Sequence, residues 1–222
     1  MTGFVSGGYY VVRYATRGEG SMSPTLLPPR FVTTSNCLAV HAIDTWTFAW
    51  TGDEPAARRK NAATLGWDDD TLAQVTAWCT ATFDEGSTGY PDVFLAVDDA
   101  LRFVERFLAA RDDVLVIGLA LDEPSAAAFV AEFAPAPGMG EQGASVALRA
   151  NREPAPGGEV LGFDVLGWEA GGCHSFVCNG LERVFEDKLG ARPNASGLYD
   201  DETEAARCAE LAGSPGVGAE PA

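Results

Sequence analysis

The chain has 222 residues, with 32 Asp and Glu against 15 Lys and Arg, so its formal net charge near neutral pH is −17. This charge excludes nucleic acids and anionic membranes as expected partners, because both are negatively charged and attract clustered cationic side chains. Hydrophobic residues make up 46% of the chain, which is more than a disordered chain would contain. We therefore expect a globular protein that binds neither nucleic acid nor membrane.

The composition also predicts a compartment and a source. Residues 1–12 lack a basic region followed by an apolar run, and no stretch approaches the roughly 20 apolar residues of a membrane span. The five cysteines are scattered, unlike the dense disulfide framework of a small secreted domain. Lysine occurs only at positions 60 and 188, amid abundant Ala, Gly, Asp and Pro, which is typical of a GC-rich bacterial coding sequence. We expect a cytoplasmic bacterial protein with reduced thiols.

Three strands are predicted in the N-terminal quarter, where β-branched and aromatic residues are frequent. Their ranges are 4–16, 31–40 and 45–51, and residues 18–30, with three prolines, form a loop. In the third strand, Trp46, Phe48 and Trp50 alternate and therefore share one face. Large aromatic side chains usually form a core layer, so we expect this face to be buried.

Three helices follow, over residues 53–64, 68–83 and 93–111. The first two begin at acidic segments of the kind that cap helices. Apolar residues at helical spacing predict the buried stripes of the second and third helices. These stripes are Leu72, Val75, Cys79 and Phe83 in one helix, and Val97, Leu101, Val104 and Leu108 in the other.

The segment Val114 to Leu121 is apolar and bounded by aspartates. This pattern predicts a strand that is buried on both faces, and we expect it to be the central strand. A helix over residues 122–133 follows, with Asp122 as its cap. Glycines and prolines in residues 134–143 predict a flexible connection.

The C-terminal third predicts a hairpin and two more helices. Strands over residues 144–150 and 160–168 are separated by a Pro- and Gly-rich loop. Helices are predicted over residues 175–189, ending at Gly190, and over residues 199–211.

Strands and helices do not alternate regularly, which disfavours a doubly wound parallel sheet. We predict an α+β fold, with mixed α/β as the alternative, built on a mixed or mostly antiparallel sheet with helices packed on it. One globular domain over residues 1–212 and a disordered tail over residues 213–222 are expected from the length and from the final glycines and prolines.

The densest candidate site is the segment Gly171 to Gly180, where two glycines lead into a predicted helix start that carries Cys173 and His174. A helix N-terminus favours the thiolate form of cysteine. Cys173 would then be a nucleophile, with His41 or His174 as its base and Asp164 or Glu169 orienting the imidazole. We favour a structural interpretation instead, in which a glycine turn enters a capped helix. In that interpretation Cys178 is buried beside Leu181 and Phe185.

A zinc site is a second use of the same residue types, since zinc accepts two Cys and two His ligands. The residues are Cys37, His41, His174 and Cys178. Neither pair has the compact CxxC spacing of a typical zinc site, so we do not favour this assignment.

Four acidic clusters lie at residues 68–70, 98–99, 112–113 and 200–202. Most precede predicted helices, so capping and the helix dipole explain them better than metal binding. The sequence contains no GxxxxGK[ST] motif and no GxGxxG after a strand, so we predict no nucleotide or other cofactor.

Three segments together resemble a block found in small bacterial proteins, some of which resemble the immunity partners of secreted polymorphic toxins. The segments are Gly162-Phe163-Asp164-Val165-Leu166-Gly167, then His174-Ser175-Phe176-Val177-Cys178-Asn179-Gly180-Leu181-Glu182, and then Asn194 to Asp201. The block contains no catalytic motif. The resemblance implies a cytoplasmic protein that binds another protein.

Two functions are compatible with the sequence. The first is a non-enzymatic acidic binding protein that neutralises a toxin or another basic enzyme, because negative potential accelerates encounter with a cationic partner. The alternative is a cysteine-dependent hydrolase or transferase with Cys173 as nucleophile. We favour the binding protein.

Overall fold

The computed structural model describes residues 3–17, 26–35, 38–43, 55–84, 88–89, 93–132, 143–169 and 172–214. The predicted strand over residues 45–51, its aromatic face, Cys37, and the predicted connection after residue 133 lie outside these ranges, as does most of the predicted tail. Within them, no helix is long and apolar enough to span a membrane.

The described chain contains both helices and antiparallel sheets, which confirms the α+β prediction. The helices are α1 (Pro55–Thr64), α2 (Asp69–Asp84), α3 (Val97–Phe107), α4 (Glu123–Glu132), α5 (Gly143–Arg149), α6 (Glu182–Leu189) and α7 (Glu202–Ala212). The strands are β1 (Phe4–Arg13), β2 (Ala15–Thr16), β3 (Arg30–Phe31), β4 (Thr88–Gly89), β5 (Val93–Phe94), β6 (Val114–Asp122), β7 (Leu166–Glu169) and β8 (Gly172–Ser175).

The chain forms two compact units, and each unit uses two separate stretches of sequence. The first unit comprises residues 1–13 and 41–158, and the second comprises residues 14–40 and 159–222. The chain therefore passes from one unit to the other three times. A single domain over residues 1–212 stays a prediction.

The sheet of the first unit has the strand order β4-β5-β1-β6. Strand β1 pairs antiparallel with β6, from Phe4 opposite Asp122 to Arg13 opposite Val114. The register shifts by one residue between Ser6 and Tyr9, where β1 contains an extra residue, as in a β-bulge. Eight consecutive residues of β1 are buried, so β1 is an inner strand that is covered on both faces.

Strand β6 is correctly predicted in extent but not in position. It lies at the end of the described sheet and pairs there with β1, and its residues are partly or fully exposed. The prediction of a central strand buried on both faces is therefore wrong. Apolar composition alone indicated burial, whereas the order of strands depends on pairing between distant segments.

Helix α3 is shorter than predicted, and its buried face is rotated from the predicted stripe. Residues 93–94 form β5 rather than the start of the helix, and Leu101, assigned to the stripe, is 51% exposed. The buried residues are Ala100 and Phe103. Phe103 packs in an aromatic cluster with Trp67, Trp78, Phe94 and Phe107. This cluster favours the observed face because aromatic rings bury more apolar area than Leu101 would.

The predicted hairpin of residues 144–150 and 160–168 is wrong. Residues 143–149 form helix α5, in which Ala144, Ala147 and Leu148 are buried at helical spacing. The partner of β7 is β8, with Leu166 opposite Ser175. The Pro- and Gly-rich loop before residue 160 suggested a hairpin, but the alanines and the leucine of residues 144–150 are strong helix formers.

The second unit has an aromatic core of its own. Phe176, Phe185 and Tyr199 are fully buried and their rings pack against one another. Other members of the core are Leu27, Phe31, Ala205 and Cys208. The core thus joins β3, α6 and α7, which come from both stretches of this unit.

Two further predictions in the second unit are corrected. Among the described residues of the strand predicted over 31–40, Phe31 alone belongs to a strand, β3, and the N–H of Val32 bonds to the carbonyl of Ser196. The helix predicted over residues 175–189 is broken into a 3₁₀ turn over residues 176–179 and α6. Gly180 causes the break because it has a left-handed φ of 64°.

Candidate functional site

The second unit holds a partly buried carboxyl group in the segment that the sequence singled out. The hydroxyl of Ser175 donates a hydrogen bond of 2.8 Å to Oδ1 of Asp164. Burial raises the pKa of the Asp164 carboxyl to about 7, although this hydrogen bond and one from the backbone of Val165 lower it. Asp164 can therefore exchange a proton near neutral pH.

Ser175 has a structural role at this position. It is the N-cap of the 3₁₀ turn, and its side-chain oxygen accepts a hydrogen bond from the N–H of Val177. Its side chain is fully buried, so a substrate does not reach the hydroxyl in this conformation. The Asp164–Ser175 pair therefore connects the chain before β7 to the last residue of β8.

Two more titratable groups lie in the same core. The hydroxyl of Tyr199 is close to the thiol of Cys208, and burial raises the pKa of both groups. The Asp164 carboxyl is near enough to raise the pKa of Tyr199 further by its charge. All three groups are therefore disfavoured in their charged forms, which suits a folded core better than an ionised active site.

The segments that carry the sequence resemblance also contribute mainly to folding. The Asn194 side chain accepts hydrogen bonds from the N–H groups of Ser196 and Leu198, and it donates to the carbonyl of Leu161 at 3.0 Å. Gly162 has a φ of 144°, and a Cβ atom there would lie 2.7 Å from the carbonyl oxygen of Tyr199. Backbone proximity explains why glycine is required at this position.

Cys173 and His174 lie in strand β8 and not at a helix start. His174 pairs with Gly167 and Cys173 with Trp168 across the hairpin. The helix N-terminus that was predicted to lower the pKa of Cys173 is therefore not formed at this residue. His174 is partly buried, while the Cys173 side chain lies outside the described atoms.

His41, the other candidate base, belongs to the first unit, whereas Cys173, His174 and Asp164 belong to the second. The His41 side chain is buried and contacts the ring of Tyr10 edge to face. Its backbone forms an isolated bridge to Val12, and its carbonyl accepts a hydrogen bond from the Asn61 side chain. In this setting His41 extends the core beside β1.

Cys178 is buried, at 8% exposure, together with Leu181 and Phe185, as predicted. Its thiol forms a hydrogen bond with the hydroxyl of Ser35. Among the residues that the structure describes, no group of three or more His, Cys, Asp or Glu side chains is arranged to hold a metal ion.

The first unit contains a pocket of about 370 Å³ beside the bulge of β1. Its walls are mainly apolar and come from β1, the start of α3, and α5, with Arg152 and Glu153 among the lining residues. The hydroxyl of Tyr9 accepts a hydrogen bond of 2.8 Å from the N–H of Ala155, and the hydroxyl of Ser6 accepts one from Gly8. Both hydroxyl groups therefore hold the surrounding loops in place, and the described lining contains no Cys or His.

Several acidic residues cap helices, as the sequence predicted. Asp68, Asp122 and Asp201 accept backbone hydrogen bonds from the first turns of α2, α4 and α7. The hydrogen bonds that these carboxylates accept lower their pKa values, so they remain charged at neutral pH. Asp113 differs, because Arg13 and Arg111 bind it in a surface network.

Comparison with protein-family models, with curated proteins and with solved structures gives no match for this chain.

Sequence reasoning missed both the Asp164–Ser175 bond and the pocket. Asp164 was expected to orient an imidazole, and nothing in its neighbours showed that Ser175 would be its partner. The glycine pair Gly7-Gly8 is the feature of the sequence that indicates the bulge in β1, because glycine inside a strand often marks a bulge.

Proposed function

We propose that this chain is a non-enzymatic acidic binding protein of the bacterial cytoplasm, which recognises and inhibits a basic protein such as a toxin. The observation that carries the proposal is the net charge of −17. A protein with this charge attracts cationic surfaces at long range and accelerates their encounter.

The positions of the acidic residues support this proposal. Asp70, Asp98 and Glu202 are exposed at the beginnings of three helices, and none of them forms an ion pair within the described chain. Their carboxylates therefore face the solvent and contribute negative potential at the surface. The capping carboxylates add to the same field, because their lowered pKa values keep them ionised.

The described residues also support binding over catalysis. Cys173 is in a strand, and Ser175 is buried and already bonded to Asp164. The resemblance to immunity-type proteins agrees with a binding function. The residues that carry this resemblance make contacts that stabilise the second unit.

Capture followed by kinetics tests the proposal. The full chain would be immobilised and exposed to a lysate of the producing bacterium at low ionic strength, and retained proteins would be identified and purified. We expect a basic partner whose association rate falls steeply between 0.1 and 1 M salt, because the Debye length shrinks from about 10 Å to about 3 Å. The dissociation rate should change less, since long-range charge acts mainly on encounter.

Two outcomes would contradict this function. One is that no protein partner is retained while the chain alone turns over thioester or amide substrates. The other is salt-insensitive binding that Trp46→Ala or Trp50→Ala abolishes, because recognition would then depend on aromatic contact rather than on charge. A Cys173→Ala variant that retains full binding would agree with the proposal.

A further inference from the structure

The outer edge of β6 is a long edge of the sheet in the first unit. Along β1, eight consecutive residues are buried, whereas the residues of β6 are partly or fully exposed. The described ladder of β6 is formed with β1, on one side of the strand. On the other side of β6, no strand among the described residues pairs with its alternate N–H and C=O groups, so these groups can bind a further strand.

The composition of this edge is unusual for a surface strand. The segment Val114–Leu121 contains no charged residue and no proline, and its one interruption is Gly118. Natural proteins normally protect such an edge with lysine, proline, a bulge or a covering element. In this sheet the bulge is in β1, so β6 itself is regular over its whole length.

The two ends of β6 differ in charge. At its beginning, Asp113 accepts hydrogen bonds from Arg13 at 2.9 Å and from Arg111 at 2.6 Å, so its charge is neutralised. At its end, Asp122 and Glu123 follow each other, and in the part of the chain that the structure describes neither forms an ion pair. The edge is therefore apolar along its length, with an acidic group at one end.

We propose that the edge of β6 binds an extended segment of a basic partner protein, which joins the sheet as a further strand. The centre of that segment would be apolar or β-branched, and its Lys or Arg side chains would lie beside Asp122 and Glu123. Main-chain hydrogen bonds provide affinity in this mode of recognition, and the charges set the direction of the added strand. This inference rests on the proposed function, because it specifies the surface that the basic partner uses.

A second copy of the chain is a less suitable occupant. Two molecules that each carry a charge of −17 repel each other, and net charge of this size keeps proteins monomeric. A basic segment gains from the same field.

Synthetic peptides test the edge without knowledge of the natural partner. The probe is a ten-residue peptide with alternating Val and Thr and an Arg-Lys pair at its N-terminus, which an antiparallel strand would place beside Asp122. Two derivatives carry N-methyl groups on alternate backbone amides in opposite phases. N-methylation removes hydrogen-bond donors but keeps side chains and charge, so it separates strand addition from electrostatic attraction.

We expect one N-methylated derivative to bind at least tenfold more weakly than the parent peptide, and the other to bind within about twofold. Hydrogen exchange of the full chain should show new protection of amides in residues 114–121 when the parent peptide is added. Glu123→Gln should weaken the parent peptide about threefold, whereas Glu105→Gln, a matched change of an exposed glutamate on α3, should not.

Three results would overturn the inference. The first is that both N-methylated peptides bind like the parent. The second is that protection develops elsewhere in the chain but not in β6. The third is concentration-dependent dimerisation of the chain with protection of β6 in the absence of peptide. If a salt-sensitive basic partner is captured but leaves the β6 amides unprotected, this inference fails and the proposed function stands. If no such partner exists, the proposed function fails whatever the peptides show.

Discussion

Asp164 shows how burial changes the chemistry of a single residue. Its carboxyl accepts the Ser175 hydrogen bond inside the second unit, and its pKa is raised to about 7. In the unfolded chain the same group titrates near its usual value of about 4. Between these two pH values the folded state binds the proton more strongly than the unfolded state, so this group stabilises the fold at low pH. That stabilisation is lost as the pH rises through about 7.

Replacement of Asp164 by Asn is therefore expected to change how stability depends on pH. The Asn side chain can still accept the Ser175 hydrogen bond but carries no charge at any pH. We expect Asp164→Asn to be more stable than the unmodified chain at pH 8, and this advantage to shrink by on the order of 2 kcal/mol between pH 8 and pH 5. Urea unfolding at both pH values, followed by circular dichroism, measures the difference.

Asp187→Asn is a suitable control for this measurement, because Asp187 is exposed on α6 of the same unit. Asp187→Asn should change the free energy of unfolding by the same amount at pH 5 and at pH 8. Equal stability curves for Asp164→Asn and the unmodified chain from pH 5 to 8 would contradict the burial of an ionisable Asp164.

At the level of elements, local patterns predicted helices well. Helix α2 begins after its Asp68 cap and buries Leu72, Val75 and Cys79. Both the cap and this buried face follow from residues that are close together in the sequence. Helix α5 was missed because a seven-residue element provides only two turns of pattern. Strand β6 was found but misplaced, because strand order is decided by contacts with β1, about a hundred residues away.

The candidate site was less predictable than the helices, for the same physical reason. The sequence correctly indicated that Cys178 is buried beside Leu181 and Phe185. It did not indicate the partners of Asp164 or Asn194, because those contacts form only when separate segments pack together. The helix start proposed at Cys173 is wrong because residues 172–175 pair with β7 as strand β8.

The bulge in β1 leads to a prediction about two glycines. Gly8 has a φ of 94°, and a Cβ atom there would lie 2.2 Å from Cγ2 of Val93 on the neighbouring strand. Gly157 has a similar φ of 87°, but a Cβ atom there would meet no atom within 4 Å. Both replacements by alanine strain the backbone, and only Gly8→Ala adds a steric clash.

We expect Gly157→Ala to lower the free energy of unfolding by about 1 kcal/mol. Gly8→Ala should lower it by about 3 kcal/mol or more, because Val93 is held in the sheet and cannot move away without cost. Chemical denaturation of the two variants in parallel separates the clash from the backbone strain. Equal losses would mean that β5 does not approach β1 at the bulge.

For the whole molecule, the excess of negative charge has a consequence for stability as well as for binding. Charges of one sign repel within a compact state, and dissolved ions screen this repulsion. We expect the melting temperature at pH 7.5 to rise by several degrees between 0.02 M and 0.3 M sodium chloride. Sucrose at matched osmolality serves as the control for effects other than screening, and calorimetry measures the change.

A melting temperature that falls with salt would show that favourable ion pairs outweigh repulsion in this molecule. The networks at Asp113 and at Glu186 would then be the first groups to test, since both involve arginine.

The interleaving of the two units also determines when each can form during synthesis. Strand β1 is made before its partner β6, which leaves the ribosome only after about a hundred more residues. The segment 14–40 waits longer still, since its own unit includes residues after position 159. During that interval a nascent chain exposes an apolar strand and an incomplete core, and chaperones bind such exposed apolar surface. Neither unit can therefore complete its core until the second of its two stretches has been made.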